Sequence, residues 1–169
     1  MFGGSLTTNI FHQPGQIRTG EQPLIFLAGP IQGTYDWQRV ATSYLGAFCP
    51  DIAIANPRRE YLPGGFVYES QVDWETFMLR QAAENGVILF WLAKEIDHNP
   101  ERAYAQTTRF ELAEWTTRAQ FDRNVRIVVG IEEGYSGARY VRRRLGQDCP
   151  WLMIAEDLQK TCLAAARLV

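Results

Sequence analysis

Three acidic side chains stand where a carboxylate could do chemistry. Glu111 lies in AQTTRFELAEW, residues 105–115, near the start of a predicted helix, and Asp73 and Glu75 lie in SQVDWE, residues 70–75, in the first turn of another. A carboxylate at a helix N-terminus is held ionised by the helix dipole and can attack an electrophilic carbon. A second carboxylate beside it can hold hydroxyls or move a proton. Each also has a plainer reading. Thr108-x-x-Glu111 matches a capping box, and Ser70-x-x-Asp73 resembles one, although Glu or Gln is usual at its last position. Glu75 could equally be a solvated first-turn glutamate. Spacing alone leaves these readings open.

Two further stretches are candidates for holding a ligand. GPIQGTYDW, Gly29 to Trp37, has glycines at 29 and 33 that allow close backbone approach, and Asp36 is placed to cap the helix that follows. It is neither a GxxxxGK[ST] phosphate loop nor a GxGxxG turn. NPRRE, residues 56–60, puts Arg58 and Arg59 just after a predicted strand, where guanidinium groups grip phosphate or carboxylate. Solvated surface arginines would look the same. Trp37 and Trp74 lie near these loops and could stack on a base or pack in the core. Trp91 and Trp151 read as core residues within strands.

The elements that must position these groups follow from the apolar runs. Leu24–Ala28, Ile52–Ala55, Val87–Leu92, Val125–Val129 and Trp151–Ile154 are short, and most lack alternation, as expected for parallel strands buried on both faces. Between and after them fall candidate helices at Trp37–Phe48, Gln71–Glu84, Thr108–Phe121, Ser136–Leu145 and Glu156–Leu168. Strand–helix alternation implies a three-layer α/β fold with right-handed crossovers. Five strands favour a flavodoxin-like (Rossmann-like) parallel sheet of order 2-1-3-4-5. Residues 1–22 are expected to form an N-terminal arm, and 23–169 a single domain. Ligands in such sheets bind beyond the carboxyl ends of the strands, which here means the loops Gly29–Asp36, Asn56–Ser70 and Ala93–Thr107. The last two are long enough to form one pocket.

Composition bounds the partners. Of 169 residues, 46% are hydrophobic and 21% charged, which excludes a mainly disordered or collagen-like chain. A net charge of −2 gives no whole-molecule attraction to nucleic acid or anionic membrane. Among 17 basic side chains only Lys94 and Lys160 are lysine, and arginine suits planar anions. The cluster Arg139, Arg142, Arg143 and Arg144 reads as a solvated helix face partly balanced by Glu132, Glu133 and Asp148. No apolar run is long enough for a membrane span. Cys49, Cys149 and Cys162 form no CxxC pair, and the start of the chain does not read as a secretion signal, so a reducing, cytoplasmic setting is expected. His12 and His98 are too scattered for a zinc site.

In combination the motifs resemble the nucleoside 2-deoxyribosyltransferase-like family. The matching stretches are IFLAGPI (25–31), DW (36–37), NPRR (56–59), QVDWE (71–75), GVILFWL (86–92) and TTRFELAEW (107–115). No single piece is specific; their order and their placement at strand ends are. The resemblance implies a flavodoxin-like fold and cleavage of the N-glycosidic bond of 2′-deoxynucleosides, with the deoxyribosyl group passed to another nucleobase. It places Glu111 as the nucleophile and Asp73 or Glu75 as the acid that holds the sugar hydroxyls and the leaving base. It puts Gly29, Pro30 and Ile31 at the base site. Asp36, Trp37, Asn56, Pro57, Arg58 and Arg109 complete the expected substrate-binding set. No metal or cofactor is expected, and at least a dimer is. The chain departs from the pattern with Leu112-Ala113 after the glutamate, Glu84-Asn85 before Gly86, and no acidic residue at Ala105, Gln106 or Thr107. The alternatives are an N-glycoside hydrolase of nucleoside monophosphates, with Arg58, Arg59 or Arg109 on the phosphate, and a nucleotide sensor without turnover.

Overall fold

The computed structural model describes residues 8–12, 21–59 and 67–169. In chain order these form β1 (Asn9–His12), β2 (Leu24–Ala28), α1 (Trp37–Phe48), β3 (Ala53–Asn56), α2 (Tyr68–Glu84), β4 (Gly86–Leu92), α3 (Gln106–Phe121), β5 (Ile127–Ile131), α4 (Ala138–Asp148), β6 (Ile154–Ala155) and α5 (Leu158–Ala166). Every strand pairing is parallel. The order across the open sheet is β1-β3-β2-β4-β5-β6.

The apolar strand runs explain the layers. Alternate residues of a strand point to opposite faces, so a run without polar positions needs cover on both. Leu24, Phe26, Ile88 and Phe90 pack against Trp74 and Met78 of α2, Leu112 and Trp115 of α3 and Leu145 of α4. Ile25, Leu27, Val87 and Leu89 pack on the other side, against Trp37, Ala41 and Leu45 of α1 and Leu158 and Cys162 of α5. Each fully buried large side chain contributes about 1.5–3 kcal/mol. Both candidate acidic stretches, on α2 and α3, therefore share one face of the sheet.

Three sequence-based expectations need correction. The sheet has six strands among the described residues, not five. The added strand, β1, comes from the segment expected to be an arm, and it pairs with β3 from Asn9↔Ala53 to His12↔Asn56. Count and order both change, because β1 flanks β3 at the edge. Its side chains are mostly exposed, so it carries no run of buried residues from which to infer it. The last strand is shorter and later than Trp151–Ile154. Trp151 is 43% exposed and lies under the Arg123 guanidinium, 3.3 Å from its ring centre, rather than in the core. Neither proposed capping box caps. Helix α2 starts from Val67 and α3 from Ala105, both without a side-chain cap, and Ser70 and Thr108 are inside their helices.

Among the described residues, no helix is long and apolar enough to cross a membrane. All three cysteines are free thiols. The α4 arginines find partners nearby, Arg144 on Asp148 at 2.7 Å and Arg142 on Glu156 at 3.7 Å. Glu132, expected to balance them, instead holds Lys94.

Candidate active site

The loops after β2, β3 and β4 are tied to one another at the carboxyl end of the sheet. Gly33 adopts φ +78, a conformation that favours glycine. Its carbonyl accepts from Ile96 N at 2.8 Å and Asp97 N at 3.2 Å, which joins the first loop to the loop after β4. Arg58 joins the first loop to the second. Its Nε donates to Gln38 Oε1 at 2.9 Å and its guanidinium donates to the carbonyls of Ile31 at 2.7 Å and Tyr35 at 3.1 Å. Asp36 lies 3.2 Å away, caps α1 through Arg39 N, and pairs more loosely with the Arg39 side chain. Asn56 is buried, and its Oδ1 accepts from Arg58 N at 2.9 Å.

These contacts give several expected ligand contacts a structural role. Trp37 is fully buried, and its Nε1 donates to the Pro30 carbonyl at 2.8 Å, so it does not stack on a ligand. Gly29 is glycine because of that indole and its neighbour: a Cβ would stand 2.4 Å from the Trp91 carbonyl oxygen and 2.6 Å from Trp37 Cζ2. Trp74 is buried beside Phe26. Arg109 leaves α3 towards the loop before α4, donating to Tyr135 Oη and the Ser136 carbonyl, both at 3.2 Å. Trp37→Phe should therefore act on stability. Pro30 O would keep only the 3.5 Å contact from Gln38, and a lost buried hydrogen bond costs about 1–3 kcal/mol. A thermal melt should show the midpoint falling by several degrees.

One chain of contacts runs from this scaffold to the carboxylates. Gln71 Nε2 donates to the Pro57 carbonyl at 3.3 Å and to Glu75 Oε1 one turn along α2. Glu75 in turn lies close enough to Glu111 of α3 to raise the pKa of that carboxyl. Helices α2 and α3 thus bring together Glu75 and Glu111, whereas Asp73 is exposed on α2. Gln71 was not among the expected site residues. Its i, i+4 spacing to Glu75 was the available signal.

The electrostatics reverse the expectation for Glu111. It stands about a turn and a half into α3 rather than at its tip, where the dipole has little effect. Burial comes first and repulsion from Glu75 and Glu114 next, and together they push its carboxyl up to about 8. Burial also raises Glu75, partly offset by the hydrogen bond from Gln71. Two partly buried carboxylates that feel each other's charge cannot both ionise cheaply, so near neutrality the proton resides on Glu111. Carboxyl groups displaced in this way are candidates for acids, bases or nucleophiles.

Two clefts lie elsewhere on the helical layer. One of about 700 Å³ lies between α2 and α3 beside Arg80, Trp115 and Phe121. Another of about 370 Å³ lies between α3 and α4 beside Arg109, Tyr140 and Arg144. Neither is lined by Glu75 or Glu111. The expected pocket between the second and third loops involves residues 60–66, Glu60 included, which lie outside the described residues. Among the described residues, no group of three or more His, Cys, Asp or Glu is placed to hold a metal ion. No protein-family model and no curated protein matches the chain.

Proposed function

We propose that this protein is a nucleoside 2-deoxyribosyltransferase built on a flavodoxin-like fold. The observation that carries the reading is the meeting of Glu75 and Glu111 on neighbouring helices, with both carboxyl groups raised. It joins the order of motifs from Ile25 to Trp115 that resembles that family. The carboxylate of Glu111 attacks the anomeric carbon of a 2′-deoxynucleoside as the N-glycosidic bond breaks, and the departing base takes up a proton. This leaves a covalent glycosyl-glutamate, as in retaining glycoside hydrolysis. A second nucleobase attacks the same carbon, frees Glu111 and restores the original configuration. Glu75 accepts from the sugar hydroxyls, a role that exposed Asp73 is less well placed to fill, and the departing base takes its proton from water.

Base exchange tests this directly. The protein is incubated with a deoxynucleoside and a different free base. The expected product is the exchanged nucleoside, and absence of both exchange and base release across the common deoxynucleosides refutes the reading. The raised Glu111 carboxyl also sets a pH dependence. The nucleophile must be ionised, so kcat/KM should rise about tenfold per pH unit below pH 8 and level off above it. A profile already flat from pH 6 upward contradicts the assignment.

The arginines lend the nucleoside-monophosphate alternative little support. Arg58 and Arg109 are both occupied by loop carbonyls and a tyrosine hydroxyl. The proposed reading includes an assembly of at least two copies, which would cover exposed apolar side chains such as Tyr68 and Phe110 beside the glutamate-bearing helices.

A further inference from the structure

We propose that Arg118 is a positioning residue for Glu111, holding the Glu114 carboxylate turned away from it, an inference that rests on the transferase reading. Glu114 stands one turn after Glu111 on α3, and side chains at that spacing are neighbours on a helix surface. Helical side chains also lean back towards the N-terminus, so an unrestrained Glu114 leans onto the turn that carries Glu111. Arg118 lies on the other side of Glu114, one turn further along. Its Nε and Nη2 both donate to Glu114 Oε1, at 3.0 and 2.7 Å. The guanidinium is itself anchored, 4.9 Å from the ring centre of buried Trp115. The Glu114 carboxylate is therefore drawn towards the C-terminal end of the helix, and its charge is partly neutralised there.

The arrangement matters because, among the described residues, the charges that act on Glu111 are Glu75 of α2 and Glu114 of its own helix, and both repel it. The other ionisable groups of the neighbouring elements face elsewhere. Asp73 of α2 is exposed. Arg80 and Glu84 of α2 line the cleft beside Arg118 and Asp122. Arg144 and Asp148 of α4 line the cleft on the other flank of α3, which Glu111 does not line. Strands β4 and β5 bring no charged side chain. Glu75 is required at the sugar in the proposed mechanism, so neutralising it would cost turnover. Glu114 has no such duty, and its charge can be offset by a cation without touching the reaction. The Arg118 and Glu114 side chains are 50% and 37% exposed, and ion pairs so exposed add little to stability. Their effect falls on the neighbouring carboxyl instead.

Arg118→Met tests this, since it keeps much of the stem over Trp115 and frees Glu114. Like charges about 6 Å apart in a largely solvated setting shift a titration by about half a pH unit. The rising limb of kcat/KM against pH should therefore move up by about that much, a loss of about threefold near pH 7 that disappears on the plateau above about pH 9. Glu114→Gln should move the limb down by about the same amount. In the Glu114→Gln background, Arg118→Met should shift it by less than about half as much as in wild type, because the residue acts through Glu114. A loss equal at every pH overturns the proposal, as does a limb that stays in place. Glu114→Gln decides the matter if Arg118→Met fails to fold, and an unmoved limb in that variant overturns the proposal. An NMR titration of the Glu111 carboxyl carbon, assigned by its loss in Glu111→Gln, reads the same ionisation without turnover. A titration that moves as expected in a protein that releases no base keeps the positioning role and refutes the transferase. Base release with an unmoved limb and an unmoved titration keeps the transferase and refutes the positioning role. Neither release nor movement refutes both.

Discussion

Glu111→Gln is expected to abolish base release and at the same time make the protein harder to unfold at pH 8. The two effects have one cause. In the proposed mechanism the Glu111 carboxylate forms the covalent bond on which turnover depends, and an amide oxygen cannot replace it. Loss of about a thousandfold or more in kcat/KM follows. The same carboxyl is a burden on the fold. Burial, then Glu75, then Glu114 raise it from 4.5 to about 8. Between those two values the folded protein holds a proton that the unfolded chain gives up, so stability falls as pH rises through that window and the loss is complete above about 8. A neutral amide of the same shape removes that penalty. Part exposure of the side chain screens the effect, so the gain is about 1–3 kcal/mol, or roughly 3–10 °C in the unfolding midpoint for a chain of this size. The gain should shrink towards zero near pH 4. A variant that loses both activity and stability would mark Glu111 as a structural residue. One that gains stability but keeps activity would leave the dyad intact as an observation and remove its catalytic role. Opposite signs are what a strained functional group predicts.

The sequence exposes the groups of this dyad more readily than their pairing. The α1 boundaries, Trp37–Phe48, emerge as expected because local signals agree: Asp36 caps the first turn through Arg39 N, and the apolar positions fall on one face. The two-sided burial of β2 and β4 is likewise written in their unbroken apolar runs. Helix α3 is different. Its Thr108-x-x-Glu111 spacing satisfies a local rule, yet the chain enters the helix through Ala105 at φ 54, which starts it earlier and places Thr108 in the interior. Backbone torsion upstream decides that, and a motif a few residues long does not carry it. The choice between Asp73 and Glu75 depends on which side of α2 faces α3, a tertiary fact. The sign of the Glu111 shift depends on burial by neighbours distant in sequence. The local sequence points to the helix dipole as the dominant influence; position along the helix and desolvation override it.

Arg58 is the residue on which the loop framework most depends, and Arg58→Met is expected to lower stability by about 2–4 kcal/mol, or roughly 5–15 °C in midpoint. Methionine keeps much of the aliphatic stem but none of the donors. Its introduction would strand the carbonyls of Ile31 and Tyr35 and the Gln38 amide oxygen, all within 3.1 Å of the guanidinium. Burial already depresses the Arg58 pKa, with Asp36 working against that shift, so the guanidinium is held in place by hydrogen bonds as much as by charge. Lysine should not restore the loss, since one ammonium cannot meet diverging acceptors as a planar fork does. The prediction also decides what the arginine-rich composition means at this position. If Arg58 gripped a substrate phosphate, Arg58→Met would leave the melt nearly unchanged while weakening nucleoside monophosphates selectively over nucleosides. If it binds the loops together, the melt falls and both substrates weaken together, because the Asn56-Pro57 turn that supports Gln71 and Glu75 loses its anchor on the first loop. The carbonyl partners place Arg58 in the second case. The measured ratio of monophosphate to nucleoside activity should therefore be the same before and after the substitution.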